Sequence, residues 1–303
     1  MSVVGPVTPP LELEPATKAA VLLDALPYIR NFAGSIVVVK YGGNALAGRG
    51  PGGDSTRPEG LASFATDMVL LRSIGMCPVV VHGGGPQIGA LMTRLGKVPE
   101  FVDGLRVTDA ETLEIARMVL VGSVNRDIVG AMNVHGPLAV GLSGEDARLI
   151  AAAPRHPALG YVGDVVSVDA SILSKLLAEG LIPVVATIGS DASGQAYNIN
   201  ADAAAGAVAE ALSAEKLVFL TNVSGIRSDP ADPASLVVRL SAGELDEIVA
   251  GGAVSGGMIP KATACAHAVR HGVRSAHVLD GTVPHAILLE LLSSDGVGSM
   301  VVR

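Results

Sequence analysis

Asn198-Ile199-Asn200-Ala201-Asp202 is the stretch on which the reading of this chain turns. It reads as a polar turn carrying two amides and a carboxylate, and the residues that follow it (AAAGAVAEAL, 203–212) have strong helix propensity. Asn200 or Asp202 can cap that helix, which leaves Asn198 to face whatever lies at its N-terminus. Two glycine-rich turns, each beside a lysine, stand far from it in sequence: Val39-Lys40-Tyr41-Gly42-Gly43 and Ser255-Gly256-Gly257-Met258-Ile259-Pro260-Lys261. If the fold brings the three together, they form a phosphate site with two ammonium groups and one organising carboxylate.

Outward from that stretch, strand and helix patterns alternate. SIVVVK (35–40) is a buried strand by its unbroken β-branched run. A helix over 58–74 follows, then a strand at 78–81, the turn His82-Gly83-Gly84-Gly85-Pro86 and another helix. Phe101 to Thr108 reads as a short hairpin or extended loop carrying Arg106, and a long helix runs from Asp109 to about Met132, capped by Thr108 or Asp109. A strand at 138–142, an antiparallel hairpin within 147–168, a helix at 169–179 and a strand at 182–186 complete the first half. The second half adds helix 201–213, strand 216–220 followed by the loop Thr221-Asn222-Val223-Ser224-Gly225, helices 241–250 and 257–271, strand 275–279, helix 284–292 and a last strand at 298–302. Such βα alternation predicts a mainly parallel open sheet with helices on both faces, in two lobes that divide near residue 190. Residues 1–14 and the Gly/Pro/Asp-rich loop 42–60 carry no core pattern. Residues 17–32 have helical periodicity that Pro27 is expected to kink or end; a helix outside the sheet suits an oligomer contact.

Composition narrows the function. The 303 residues are 49% hydrophobic and only 3% aromatic, with 37 glycines, which suits close packing of helices on a sheet. A formal charge of −8 and no Lys/Arg run argue against nucleic acid, so a few well-placed cations become informative. Cys77 and Cys265 lack metal-ligand spacing and read as buried thiols in a reducing compartment. No secretion signal is evident, no apolar run reaches the roughly 18 residues of a membrane span, and the chain reads as cytoplasmic.

The turn at 83–85 follows a strand and opens a helix, where backbone N–H groups and the helix dipole favour an anion. It is neither a P-loop, since no G-x-x-x-x-G-K-[ST] occurs, nor a dinucleotide fingerprint, since Ile88 stands where the third glycine falls. An ordinary βα turn whose glycines allow close packing is the plainer alternative. Arg106 taken alone is more often a surface ion-pair partner. Lys261 lies near the start of a helix, where its charge opposes the macrodipole unless an anion offsets it. Phosphoryl transfer between two anions needs charge neutralisation at donor, acceptor and moving group. Two lysines and an aspartate between them could supply it, with Mg²⁺ carried on the nucleotide and no base needed for a carboxylate acceptor.

From about Val38 to Met300 the chain resembles the amino acid kinase family. The resemblance is carried by KYGGNAL (40–46), VVHGGGPQI (80–88), FVDGLRVTD (101–109), MVLVGSVN (118–125), GLSGEDARLI (141–150), YVGDV (161–165), YNINADAAA (197–205), SGGMIPK (255–261) and VPHAILLEL (283–291). It implies a three-layer αβα sandwich with an N-terminal tail and helix (1–34). An N-terminal lobe (35–190) would bind N-acetyl-L-glutamate and dimerise, and a C-terminal lobe (191–303) would bind MgATP. It further implies transfer of a phosphoryl group to the acetylglutamate side-chain carboxylate in arginine biosynthesis. Lys40 and Lys261 would stabilise the transition state, and Asp202 would organise them without holding a metal itself. Gly84, Gly85, Arg106 and Asn198 would bind the acceptor, and Gly42, Gly43, Thr221 and Gly257 the nucleotide. In arginine-inhibited members a matching N-terminal helix joins dimers into a hexamer, which implies an arginine site including His277, Glu290 and Gly296; a PII-type regulator is a further possible partner. Asn222 and Thr282 depart from the family pattern of Asp and Arg. Two alternatives stand beside this reading: a related kinase acting on a carrier-linked substrate, and a non-catalytic arginine sensor that kept the fold.

Overall fold

The computed structural model describes residues 14–42, 59–229, 231–254, 256–293 and 296–303. The expectations for the N-terminal tail, the loop at 43–58, Gly43 and Ser255 lie outside them. In chain order the strands are β1 (Ile36–Tyr41), β2 (Cys77–His82), β3 (Phe101–Val102), β4 (Leu105–Arg106), β5 (Ala139–Ser143), β6 (Ile150–Pro154) and β7 (Val162–Val168). After them come β8 (Ile182–Ala186), β9 (Ile188–Ser190), β10 (Ala196–Ile199), β11 (Lys216–Thr221), β12 (Arg239–Ser241), β13 (Ser275–Asp280) and β14 (Ser299–Val302). Eight of them form one sheet in the order β12-β14-β13-β11-β1-β2-β8-β5. From β13 to β5 every pairing is parallel; β14 runs antiparallel to β13.

Strand alternation divides the core in two. Val37, Val39 and Tyr41 of β1 join one hydrophobic cluster, with Val80 of β2 and Val218 and Leu220 of β11. Val38 joins the other, with Val79, Val81, Leu217 and Phe219. Helices α1 (Pro15–Phe32), α2 (Glu59–Ser73), α3 (Gly85–Arg94), α4 (Ala110–Arg117) and α5 (Asn125–Asn133) come first in the chain. The others are α6 (Ser171–Ala178), α7 (Ala201–Ala211), α8 (Ala242–Ala250), α9 (Met258–Arg270) and α10 (Ala286–Leu292). Met68 of α2 and Ile128 of α5 pack on the first face, Ala204 and Val208 of α7 and Cys265 of α9 on the second. The three-layer αβα fold read from the sequence is the one observed.

Three local expectations are corrected. Pro27 lies inside α1 and does not end it, because the bond it cannot donate falls on an exposed turn where water can take its place. None of α1 is buried, and Leu22 and Leu23 are exposed. The long helix after Asp109 is interrupted by a π-helical segment, Met118–Val124, between α4 and α5. Residues 196–199 are a strand rather than part of a polar turn, since β10 pairs antiparallel with β9 and parallel with β7. With β6 these strands close a small four-stranded barrel that short, Gly- and Ala-rich segments concealed. The edge strand β12 is likewise too short to announce itself.

Candidate active site

Because β1, β2 and β11 are parallel neighbours, their C-terminal ends open at one edge of the sheet, the position where open α/β sheets bind ligands. A cleft of about 650 Å³ lies there, lined by Lys40, Gly42, Gly83–Gly85, Arg106, Asn200, Asp202, Thr221, Asn222 and Lys261 among others. The three stretches picked out in the sequence meet in it.

Lys40 shares the face of β1 that carries Val38, and so points toward α7. The Asn200 side chain caps that helix, accepting from the N–H groups of Asp202 at 2.8 Å and Ala203 at 3.1 Å. Capping fixes the first turn and aims Asp202 inward. Lys40 Nζ lies 2.8 Å from Asp202 Oδ1, and Lys261 Nζ donates to Oδ2 at 2.9 Å. Burial lowers the Lys40 pKa, with Asp202 opposing and Lys261 reinforcing the shift. Burial also pushes Asp202 up, but the two ammonium groups outweigh it and hold its carboxyl below the usual range. Lys261 sits in the first turn of α9, where its unfavourable interaction with the dipole is offset by Asp202; it also donates to the Gly257 carbonyl at 3.3 Å.

Arg106 is buried, not a surface ion-pair partner. Its guanidinium donates to the Gly85 carbonyl at 2.8 Å and lies 4.7 Å from the centroid of the Phe101 ring, on the hairpin of β3 and β4. No carboxylate among the described residues pairs with it. Among the described residues the lining therefore carries three cations against a single carboxylate, an excess that suits a polyanion.

At Gly84 an added Cβ would come 2.7 Å from Leu120 Cδ2 and 3.2 Å from Val124 Cγ2, both on the π-helical segment, whereas a Cβ at Gly85 would meet nothing within 4 Å. Close packing thus accounts for Gly84, whereas at Gly85, which lines the cleft, the packing leaves room for a side chain. Gly42 lies at the end of β1, where a Cβ would approach Leu220 O at 3.1 Å and Lys40 Nζ at 3.2 Å. Thr221 ends β11, its hydroxyl accepting from Val223 N at 3.2 Å. Asn198 is not in the lining; it donates to Thr108 Oγ1 at 3.3 Å, and Thr108 donates to the Arg106 carbonyl at 2.9 Å.

Two supporting residues escaped the sequence reading. His82 is fully buried, with Nδ1 3.0 Å from the Gly83 carbonyl and Nε2 3.1 Å from Asn125 Nδ2. A carbonyl can only accept and an amide nitrogen only donate, which fixes a neutral imidazole protonated on Nδ1. Burial lowers its pKa to about 4. Asn125 also donates to Val184 O at 2.9 Å, so this pair ties the glycine turn to β8. An amide in the apolar run MVLVGSVN was the available signal.

His277, Glu290 and Gly296 come together on the other face of the sheet from Lys40. His277 Nδ1 lies 2.6 Å from Glu290 Oε1, while Nε2 lies 2.9 Å from Ser275 Oγ and 3.2 Å from Lys216 Nζ. Gly296 has φ +58°, and a Cβ on it would stand 3.0 Å from Glu290 Oε2. Lys216, read from the sequence only as the start of a strand, sits 5.1 Å from the centroid of the Phe32 ring at the end of α1.

This arrangement, cations from both halves of the chain gathered on one aspartate at the C-terminal edge of a parallel sheet, suits a ligand that carries phosphate. The amino acid kinase family pattern matches residues 35–280, and the chain belongs to that family. Its relatives include proteins named acetylglutamate kinase. That of Symbiobacterium thermophilum is 51% identical over 296 residues, covering 94% of this chain and 98% of the relative. That of Saccharopolyspora erythraea is 52% identical over 293 residues, covering 94% and 93%. Among solved structures, N-acetylglutamate synthase from Neisseria gonorrhoeae, complexed with coenzyme A and N-acetyl-glutamate, superposes with a TM-score of 0.81 at 27% identity; the match covers 94% of this chain and 63% of that one. Among the described residues no helix is long and apolar enough to cross a membrane.

Proposed function

We propose that the chain transfers the γ-phosphoryl group of ATP to the side-chain carboxylate of N-acetyl-L-glutamate, giving N-acetyl-L-glutamyl 5-phosphate and ADP, as a step of arginine biosynthesis. One observation carries this reading: Asp202 is clamped by two lysines, and no second acid or imidazole is among the described residues that line the cleft. A hydroxyl acceptor would need a base to take its proton. An aspartate already engaged by two ammonium groups serves poorly as one. An acceptor carboxylate arrives without a proton to lose, and its oxygen can attack the γ-phosphorus directly as the bridging oxygen leaves with ADP.

In this reading Lys40 and Lys261 approach the moving phosphoryl group from the two sides, and Asp202 holds them there. The N–H groups of Gly84 and Gly85 and the Arg106 guanidinium take the acceptor, with Asn198 supporting through Thr108. Gly42, Gly43, Thr221 and Gly257 take the nucleotide. The one carboxylate among the described lining residues is engaged by lysines, so Mg²⁺ would be held through the nucleotide phosphates, whose charge it would help neutralise. The N-terminal lobe (35–190) holds the acceptor and the dimer contact, and the C-terminal lobe (191–303) holds ATP. The exposed apolar side of α1 suits assembly of dimers into a hexamer. Its terminal Phe32 stands against Lys216, beside His277 and Glu290, which supports feedback inhibition by arginine at that cluster. A cytoplasmic location and a PII-type partner complete the reading.

The test is incubation with ATP, Mg²⁺, N-acetylglutamate and hydroxylamine, which traps an acyl phosphate as its hydroxamate. Hydroxamate with N-acetylglutamate but not with glutamate or aspartate is the expected result. No hydroxamate with N-acetylglutamate ends the proposal.

A further inference from the structure

Helices α7 and α9 lie side by side, and at the end remote from Asp202 they bring three metal-ligating side chains together. His267 Nδ1 lies 2.7 Å from Glu210 Oε1. The ring of His271, just past the end of α9, stacks on that of His267 with centroids 3.9 Å apart and planes 19° apart. One donor atom from each of Glu210, His267 and His271 lies within 4.8 Å of the other two. None of the three enters the reaction proposed above, and the inference does not depend on it.

We propose that Glu210, His267 and His271 form a binding site for a divalent transition-metal cation of the Zn²⁺ class. Imidazoles four residues apart on one helical face have the spacing by which helices present two histidines to zinc. A carboxylate from a second helix adds a third ligand. Two nitrogens and one oxygen favour Zn²⁺, Ni²⁺ or Cu²⁺ over Mg²⁺ and Ca²⁺, which prefer all-oxygen shells. The outer contacts are already in place. His271 Nδ1 donates to the His267 carbonyl at 2.7 Å, which orients the ring and leaves Nε2 for a metal, as ligating histidines are commonly held. Tetrahedral bonds of about 2.0–2.1 Å bring ligand atoms to roughly 3.4 Å apart, so small rotations of exposed side chains close the site. Glu210 and His267 also line a groove of about 1350 Å³, which gives the ion an open approach and leaves its remaining position to water.

The location gives the site a consequence. Glu210 lies roughly two turns along α7 from Asp202, and His267 roughly two turns along α9 from Lys261. A metal there would staple together the two helices whose opposite ends hold the Asp202–Lys261 contact. The test uses the full chain without an affinity tag, stripped with a chelator and titrated with ZnCl₂ by calorimetry, with thermal unfolding in parallel. One equivalent per chain and a higher Tm are expected. His271→Ala and His267→Ala should each weaken zinc binding roughly tenfold or more while keeping the circular dichroism of the parent. His156→Ala, elsewhere along the groove, should not weaken it, and Mg²⁺ should not compete. Zinc binding of unchanged strength in both His267→Ala and His271→Ala, or no zinc binding by the parent chain, overturns the proposal.

Discussion

Replacing Asp202 by Asn tests the centre of the site directly. The change keeps the shape and the Asn200 cap but removes the negative charge shared between two ammonium groups. At an effective dielectric of about 20, a unit charge 2.8 or 2.9 Å away is worth about 6 kcal/mol of gross attraction to each lysine. Desolvation has already consumed part of that, and breaking a buried pair by removing one partner costs about 3–5 kcal/mol net. The chain can reduce the cost in one way, by releasing a proton from Lys40, whose pKa is already lowered by burial and kept up by Asp202. Loss of the carboxylate lowers that pKa further, so the protonated lysine survives only to a lower pH. The hydroxamate assay should therefore show kcat reduced by about 10²-fold or more, as when a preorganised charge is lost. The alkaline limb of the pH–rate profile should move at least about one unit toward neutral pH. A variant with kcat within about threefold of the parent and an unmoved alkaline limb would refute the reasoning, because the lysines would then need no anion between them.

Arg106→Ala should raise KM for the acceptor by about 10- to 100-fold with a smaller effect on kcat, the range for losing a charged hydrogen-bonding group, as read in initial-rate kinetics. Gly84→Ala should cost about 1–3 kcal/mol in urea unfolding, because its Cβ enters the packed contact with Leu120; Gly85→Ala should leave stability nearly unchanged. His82 titrates near 4 in the fold against about 6.5 when unfolded, so the unfolded chain binds more protons between those values. Its contribution is whole above pH 6.5 and is lost as pH falls toward 4. Between pH 7 and 5 the parent should lose about 2 kcal/mol more than His82→Gln in urea titrations, and equal losses would contradict the burial argument.

The centre of the sheet was legible because β1 and β2 carry β-branched runs bounded by turns, and helices such as those after Asp109 and Asn200 because capping residues and apolar periods mark them. Residues 35–41 show how far this reaches. Alternation alone sends Lys40 to the face opposite Tyr41, and only the packing of α7 on that face puts Asp202 above it. The residue types pose the meeting of Lys40, Asp202 and Lys261 only as a condition on the fold, and the family resemblance implies it, because no local pattern encodes a contact between positions 40, 202 and 261. The His82–Asn125 bond escaped for the same reason. The barrel strands β9 and β10 were hidden because their residues are few and mixed, and Asn198 therefore passed for part of a turn.

Where local rules are broken, the breaks converge. A lysine occupies the first turn of α9 against the dipole, and a second lysine is almost wholly buried at the end of β1. The helix after Asp109 departs into a π-helical segment at Met118–Val124 that presses on Gly84. A buried histidine is kept neutral beside the same turn. Each is unfavourable or neutral by itself, and each positions a group at the cleft or the turn that lines it. Consistency between local preference and fold is the rule in stable proteins, with exceptions at functional sites. Electrostatics adds the reason for this cluster: a chain of formal charge −8 can gather anionic substrates only through a local excess of cations, and that excess is tolerable in the resting protein because one aspartate is shared between two lysines.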